Sequence, residues 1–252
     1  MKKFEVLTYG NPDAPVLLLQ MADDHDLSVI DEEVRLIGEL SGGKSFCLKA
    51  VKVKSWNDDL SPWPAPAVFG SEGFGGGAAE TLDYLLREVI PEGGAAEAAG
   101  SAASESSPEG GANDAENAPA GQRIILGGYS LAGLFALWAG YRTDRFSGIA
   151  AASPSVWFPG FTDCMRENTM RAEAVYLSLG DREERTRNPV MSQVGNAIRA
   201  GEEILKAQGV ECVLEWNKGN HFKDAALRTA KAFAWVMKSG GAECSVKGSS
   251  DH

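Results

Sequence analysis

Short apolar runs alternate with longer segments of helical period along this chain, and that alternation restricts its fold more than any other feature. Val16-Leu17-Leu18-Leu19-Gln20 reads as a strand between Pro15 and the acidic Asp23-Asp24. Ser28 to Leu40 carries apolar residues at Val29, Ile30, Val34, Ile37 and Leu40, with Asp31 three residues after Ser28 and Gly42-Gly43 at its end. That pattern predicts an amphipathic helix with a start and a stop. Further strands are expected over 46–53, 123–126, 148–152, 174–179 and 211–215, and further helices over 78–90, 131–141, 190–208 and 222–237. Strands alternating with helices of this length predict an α/β fold: a mostly parallel central sheet with helices on both faces.

The chain has 252 residues, 44% of them hydrophobic, enough for one large core. A single domain is expected over 1–238, interrupted at 93–121 by a segment almost entirely of Gly, Ala, Ser, Glu, Asn and Pro. Without aromatic or branched aliphatic residues that segment cannot offset its ordering entropy, so it is expected to be a disordered insertion. A flexible tail is expected over 239–252. The net charge of −11 includes six acids within and beside the insertion, leaving about −5 for the rest, ordinary for a soluble domain. No basic stripe appears, which argues against a nucleic-acid partner or an anionic membrane surface. The four cysteines have no CxxC spacing and read as reduced packing residues. Glu5, Thr8, Gly10, Asn11 and Asp13 interrupt any apolar stretch after Lys2-Lys3, so the expected location is cytoplasmic.

The informative stretch runs Ile124-Ile125-Leu126-Gly127-Gly128-Tyr129-Ser130-Leu131-Ala132-Gly133-Leu134. It is a buried strand, a serine between small residues, and an immediate apolar helix. A serine hydroxyl is a poor nucleophile until a base takes its proton. A sharp strand-to-helix turn lifts it above the sheet edge, and crowding there requires small residues two before and two after, here Gly128 and Ala132. The common pattern has glycine where this chain has Ala132. The free N–H at the helix start, that of Leu131, is a candidate oxyanion donor. A second donor is expected from Met21 or Ala22, after an early strand.

Three histidines are present, His25, His221 and His252. Only His221 follows Ser130 outside the tail, and it is expected to open the last helix. Serine, acid, histidine is the chain order expected of such a site. The acid should then follow the strand over 174–179, where Asp181, Glu183 and Glu184 compete. Glu183 is preferred, with Asp181 as the alternative, Glu184 third and Asp163 and Asp224 as outsiders. A serine–histidine dyad also remains open.

With these residues in hand, the chain resembles the esterase family of α/β-hydrolases that contains esterase D and the enterochelin esterases. Gly128 to Leu137 is similar to the family's nucleophile turn, Ala151-Ala152-Ser153-Pro154-Ser155-Val156-Trp157 to the segment that follows it, and Gly219-Asn220-His221-Phe222 to its histidine loop. Phe74 to Pro91 resembles the helix before the nucleophile strand. The resemblance implies an α/β-hydrolase fold without a separate lid domain, and hydrolysis of carboxylic esters with no metal or organic cofactor. Siderophore esterases usually carry an arginine-containing loop where this chain has Trp56-Asn57-Asp58-Asp59-Leu60-Ser61-Pro62-Trp63, and its absence argues against a catecholate siderophore. Trp56, Trp63 and Trp157 are candidates to line a substrate pocket. The leading expectation is a serine esterase acting on a small-molecule ester through an acyl-enzyme. Acyl transfer by the same residues and an inactive binding protein are the alternatives.

Overall fold

The computed structural model describes residues 2–90 and 122–239. The insertion expected at 93–121 and the tail beyond Ser239 lie outside the described residues.

In chain order the elements are β1 (Glu5–Gly10), β2 (Val16–Ala22), α1 (Asp24–Ser28), α2 (Ile30–Leu40), β3 (Cys47–Lys52), α3 (Trp56–Asp59), β4 (Pro64–Ala65), β5 (Phe74–Gly75) and α4 (Ala78–Tyr84). A π-helical turn at Leu85–Val89 extends α4. Then come β6 (Arg123–Tyr129), α5 (Leu131–Gly140), β7 (Gly148–Ala152), α6 (Phe161–Glu167), β8 (Ala174–Gly180), α7 (Val194–Ala207), β9 (Glu211–Asn217) and α8 (Ala225–Lys238). Seven strands form one sheet in the order β1-β3-β2-β6-β7-β8-β9. Every pairing is parallel except β1 with β3. β4 and β5 form a separate two-stranded hairpin.

Burial on both faces explains the continuous apolar runs. In β2, Leu17, Leu19 and Met21 pack on one side of the sheet and Leu18 on the other. In β8, Val175, Leu177 and Leu179 alternate in the same way with Ala174 and Tyr176. The first side is covered by α4, α5, α6 and α7, and the second by α2 and α8. All ten residues of α5 are buried. α8 lies so close that a Cβ on Gly148 would stand 2.2 Å from Val236 Cγ1, which explains glycine there.

The structure differs from the sequence expectations at several boundaries. β1 is an edge strand paired only with β3 and mostly part-exposed, so its pattern is weak. β2 runs two residues further than expected, through Ala22. α8 begins at Ala225 rather than Phe222, because Asp224 adopts a left-handed conformation (φ 55°, ψ 40°) that a right-handed helix cannot continue through.

The chain passes from β2 outward to β3, then returns to β6 on the other side of β2. The carboxyl ends of β2 and β6 therefore flank the point where strand order reverses, the usual position of a ligand crevice in open α/β sheets.

Candidate active site

Ser130 stands between β6 and α5 with φ 56° and ψ −119°, a conformation that costs a non-glycine residue about 1–3 kcal/mol. The surrounding chain holds it there. Its N–H donates to Ala152 O (3.1 Å), and its carbonyl accepts from Ser155 N–H (3.0 Å) and Leu134 N–H (3.1 Å). The turn is tight enough that a Cβ on Gly128 would lie 2.5 Å from the Ala132 Cβ.

The strained turn aims the Ser130 hydroxyl at the loop after β9. Ser130 Oγ lies 3.0 Å from His221 Nε2, and His221 Nδ1 lies 2.7 Å from Glu183 Oε2. Glu183 follows β8 and is 5% exposed. Its other oxygen accepts from Gly180 N–H (2.6 Å), Ser153 Oγ (2.9 Å) and Arg228 Nη1 (2.9 Å). With both oxygens engaged, the carboxylate has little freedom to turn away from the imidazole.

A buried network supports this line from below. Tyr129 donates its hydroxyl to His221 O (2.6 Å) and accepts from Arg228 Nη1 (3.0 Å). Burial pushes the Tyr129 phenol above its usual range, so it remains a donor at neutral pH. Arg228 Nη2 donates to Asn220 O (3.1 Å) and Lys218 O (3.4 Å), tying both flanks of the histidine loop. Ser155 Oγ is a further hydroxyl, 3.3 Å from Ser130 Oγ.

Above these residues opens a cavity of about 380 Å³. Ser130, Leu131, Ser155 and His221 border it, and its walls include Trp56, Phe74 and Trp157. Among the described residues no group of three or more His, Cys, Asp or Glu side chains comes together as a metal site would require. No described helix is long and apolar enough to cross a membrane.

No protein-family model matches the chain, and no curated protein matches it in sequence. Solved structures do match. An IroE-like serine hydrolase from Shewanella oneidensis aligns over 93% of this chain and 76% of its own, with TM-score 0.69 and 16% identity. The siderophore hydrolase EstA from Aspergillus nidulans aligns over 93% and 90%, with TM-score 0.61 and 18% identity. The enterobactin esterase FES from Shigella flexneri aligns with TM-score 0.61 and 14% identity, over 93% of this chain but 55% of its own. The chain shares its fold with these hydrolases and esterases.

Within this fold, Ser130, His221 and Glu183 come together at the carboxyl ends of β6, β9 and β8. The other carboxylates stand elsewhere. Asp181 Oδ1 accepts from Gly219 N–H (2.8 Å), a bond that holds its carboxyl below the usual range, so it braces the histidine loop rather than the ring. Glu184 faces Arg199, Asp163 pairs with Arg166, and Asp224 stands just before α8 beside Lys223.

Leu131 borders the cavity, whereas Met21 and Ala22 do not. Both belong to the extended end of β2, opposite Val51 and Lys52, and are fully buried, so neither lies in a loop after the strand as expected. Trp56 and Trp157 line the cavity. Trp63 does not: its ring packs edge-on against Phe158 (5.6 Å) and its Nε1 donates to Pro159 O (3.0 Å), bracing the wall from outside. Arg228, Tyr129, Ser153, Ser155, Phe69, Phe74, Met191 and Phe222 were missed as site residues. Phe69 carried a local signal: a large apolar residue in a Pro/Gly-rich loop, where binding residues concentrate.

Proposed function

We propose that this chain is a serine esterase in which Ser130 is the nucleophile, His221 the general base and Glu183 the acid that orients it. The observation that carries this reading is the unbroken line of short contacts from Ser130 Oγ to His221 Nε2 (3.0 Å) and from His221 Nδ1 to Glu183 Oε2 (2.7 Å). The fold shared with serine hydrolases and siderophore esterases supports the same reading.

The chemistry follows from the positions. Ser130 Oγ attacks the ester carbonyl while His221 Nε2 accepts the hydroxyl proton. Glu183 holds Nδ1–H, which fixes the tautomer that leaves Nε2 free to accept, and stabilises the imidazolium that forms. Negative charge developing on the carbonyl oxygen is met by the Leu131 N–H at the start of α5, where the helix leaves its first donors without internal partners. The C–O bond of the tetrahedral species breaks, and His221 gives its proton to the departing alkoxide. Water, deprotonated by His221, then attacks the acyl-serine, and the proton returns to Ser130 as the acid leaves.

The test combines labelling with turnover. A fluorophosphonate probe is expected to modify Ser130, and p-nitrophenyl acetate to be cleaved by the wild type and not detectably by Ser130→Ala. Equal turnover by the two proteins, or a folded wild type that takes no label at Ser130, would overturn the assignment.

A further inference from the structure

The cavity over Ser130 is built almost entirely of carbon. Phe69 packs edge-on to Trp157 (6.1 Å), and Phe74 contacts both Trp157 (6.2 Å) and Phe158 (5.1 Å), giving one continuous aromatic wall. Trp56, Leu131 and Met191 add further apolar surface. Among the described residues, His221 is the only ionisable side chain that borders the space, and the other polar side chains there are Asn57, Ser130 and Ser155. No lysine or arginine among the described residues borders it to balance an anionic substrate. Burying an unpaired charge against such walls is costly, whereas each buried methylene is favourable by about 0.8 kcal/mol.

The rim points the same way. Phe222 is 88% exposed and Phe69 is 52% exposed, yet both border the cavity mouth. Large apolar side chains left in water around a concave apolar space mark a surface that gains when a ligand covers it.

We propose that this cavity selects uncharged esters with one extended apolar arm, alkyl or aryl, seated against the Phe69–Trp157–Phe74 wall while the ester carbon faces Ser130. The assignment rests on the esterase reading above and deepens it. Charged acyl groups and polyanionic siderophores are excluded by the same walls.

The experiment measures kcat/KM along two series, p-nitrophenyl esters from acetate to octanoate and alkyl acetates from ethyl to octyl, with mono-p-nitrophenyl glutarate as the charged counterpart of the pentanoate. One series is expected to rise by about fourfold per methylene until the cavity is filled. The glutarate is expected to fall at least about 30-fold below the pentanoate, given the cost of desolvating a carboxylate. Phe69→Ala, at an exposed position where folding is tolerant, and Trp157→Ala should lower the long-to-short ratio in the rising series. Acetate turnover with both series flat, a glutarate preference, or an unchanged ratio in both variants would overturn the specificity and leave the esterase reading standing. Absence of any ester turnover together with absence of fluorophosphonate labelling at Ser130 would overturn both.

Discussion

Arg228 and Glu183 form an ion pair of 2.9 Å directly beneath the imidazole, with 1% and 5% of their side chains exposed. Two charges so far from water are stable only as a pair with their remaining hydrogen-bond positions largely filled. Here the filling groups are parts of the site: the histidine ring, the Tyr129 hydroxyl, Ser153 and the carbonyls of Lys218 and Asn220. The pair therefore joins stability to the placement of His221.

Arg228→Met removes the cation and strands a buried carboxylate, so denaturant unfolding should show a loss of about 3–5 kcal/mol. Arg228→Lys keeps the charge but loses the fork that reaches the two carbonyls of the histidine loop. It should fold with a smaller loss and a lower kcat, because the loop is less well held. A methionine variant as stable as the wild type would show that the pair does not hold this region.

The carboxylates of the 181–184 segment should separate in kinetics. Glu183→Gln removes the charge that stabilises the imidazolium, and kcat should fall by roughly 10²–10⁴. Asp181→Ala cuts only the bond to Gly219 N–H, at the outer edge of the histidine loop, and should change kcat by less than about tenfold. The reverse ranking in steady-state assays would move the acid to Asp181.

The sheet was legible because its central strands are buried on both faces, so β2, β6, β7 and β8 appear in the sequence as unbroken apolar runs. The same runs mark where the strands end, and Ser130, Glu183 and His221 all follow strand ends. The supporting shell was not legible. Arg228 lies seven residues after His221 on an amphipathic helix, where an arginine ordinarily faces solvent, and only the packing of α8 on the sheet turns it inward. Trp63 failed for the converse reason. Its composition suits a pocket, but its indole is committed to Phe158 and Pro159 from outside the wall. Phe222 was read as part of the last helix, and the left-handed turn at Asp224 instead leaves it on the cavity rim.

At the nucleophile turn, a methyl group sits on Ala132 where the common pattern has glycine, and Gly128 opposite makes room for it. Gly128→Ala should bring two Cβ atoms to 2.5 Å and destabilise by about 1–3 kcal/mol. Ala132→Gly alone should cost the entropy of a glycine near a helix start and the burial of one methyl group, about 1–2 kcal/mol together. The double variant should recover the part of the loss due to the clash, a coupling readable from thermal or denaturant unfolding of all four proteins. Additive losses would mean that the turn relaxes without this contact.

Acidic residues gathered at the end of β2 make stability depend on pH. Burial, then the Asp23 charge, pushes the Asp26 carboxyl from its ordinary value up to about 6, and the buried Glu33 beside it is raised well above its own ordinary value, chiefly by burial. Because Asp26 is raised in the folded state, its protonated form is favoured there. Below about pH 4 the folded and unfolded chains both hold this proton, and no penalty arises. Between about pH 4 and pH 6 the unfolded chain releases the proton first, so stability declines as pH rises and levels off above that window. A rise from the ordinary value to about 6 corresponds to about 3 kcal/mol, which the partial exposure of Asp26 reduces to about 1–2 kcal/mol. Asp26→Asn preserves an acceptor for Asp23 N–H and removes the titration. Its stability relative to the wild type should therefore improve by that amount between pH 4 and pH 7 in urea unfolding. Glu33→Gln should show the same sign, because burial raises its carboxyl as well. A difference from wild type that is constant with pH for both variants would show that neither group is held protonated by the fold.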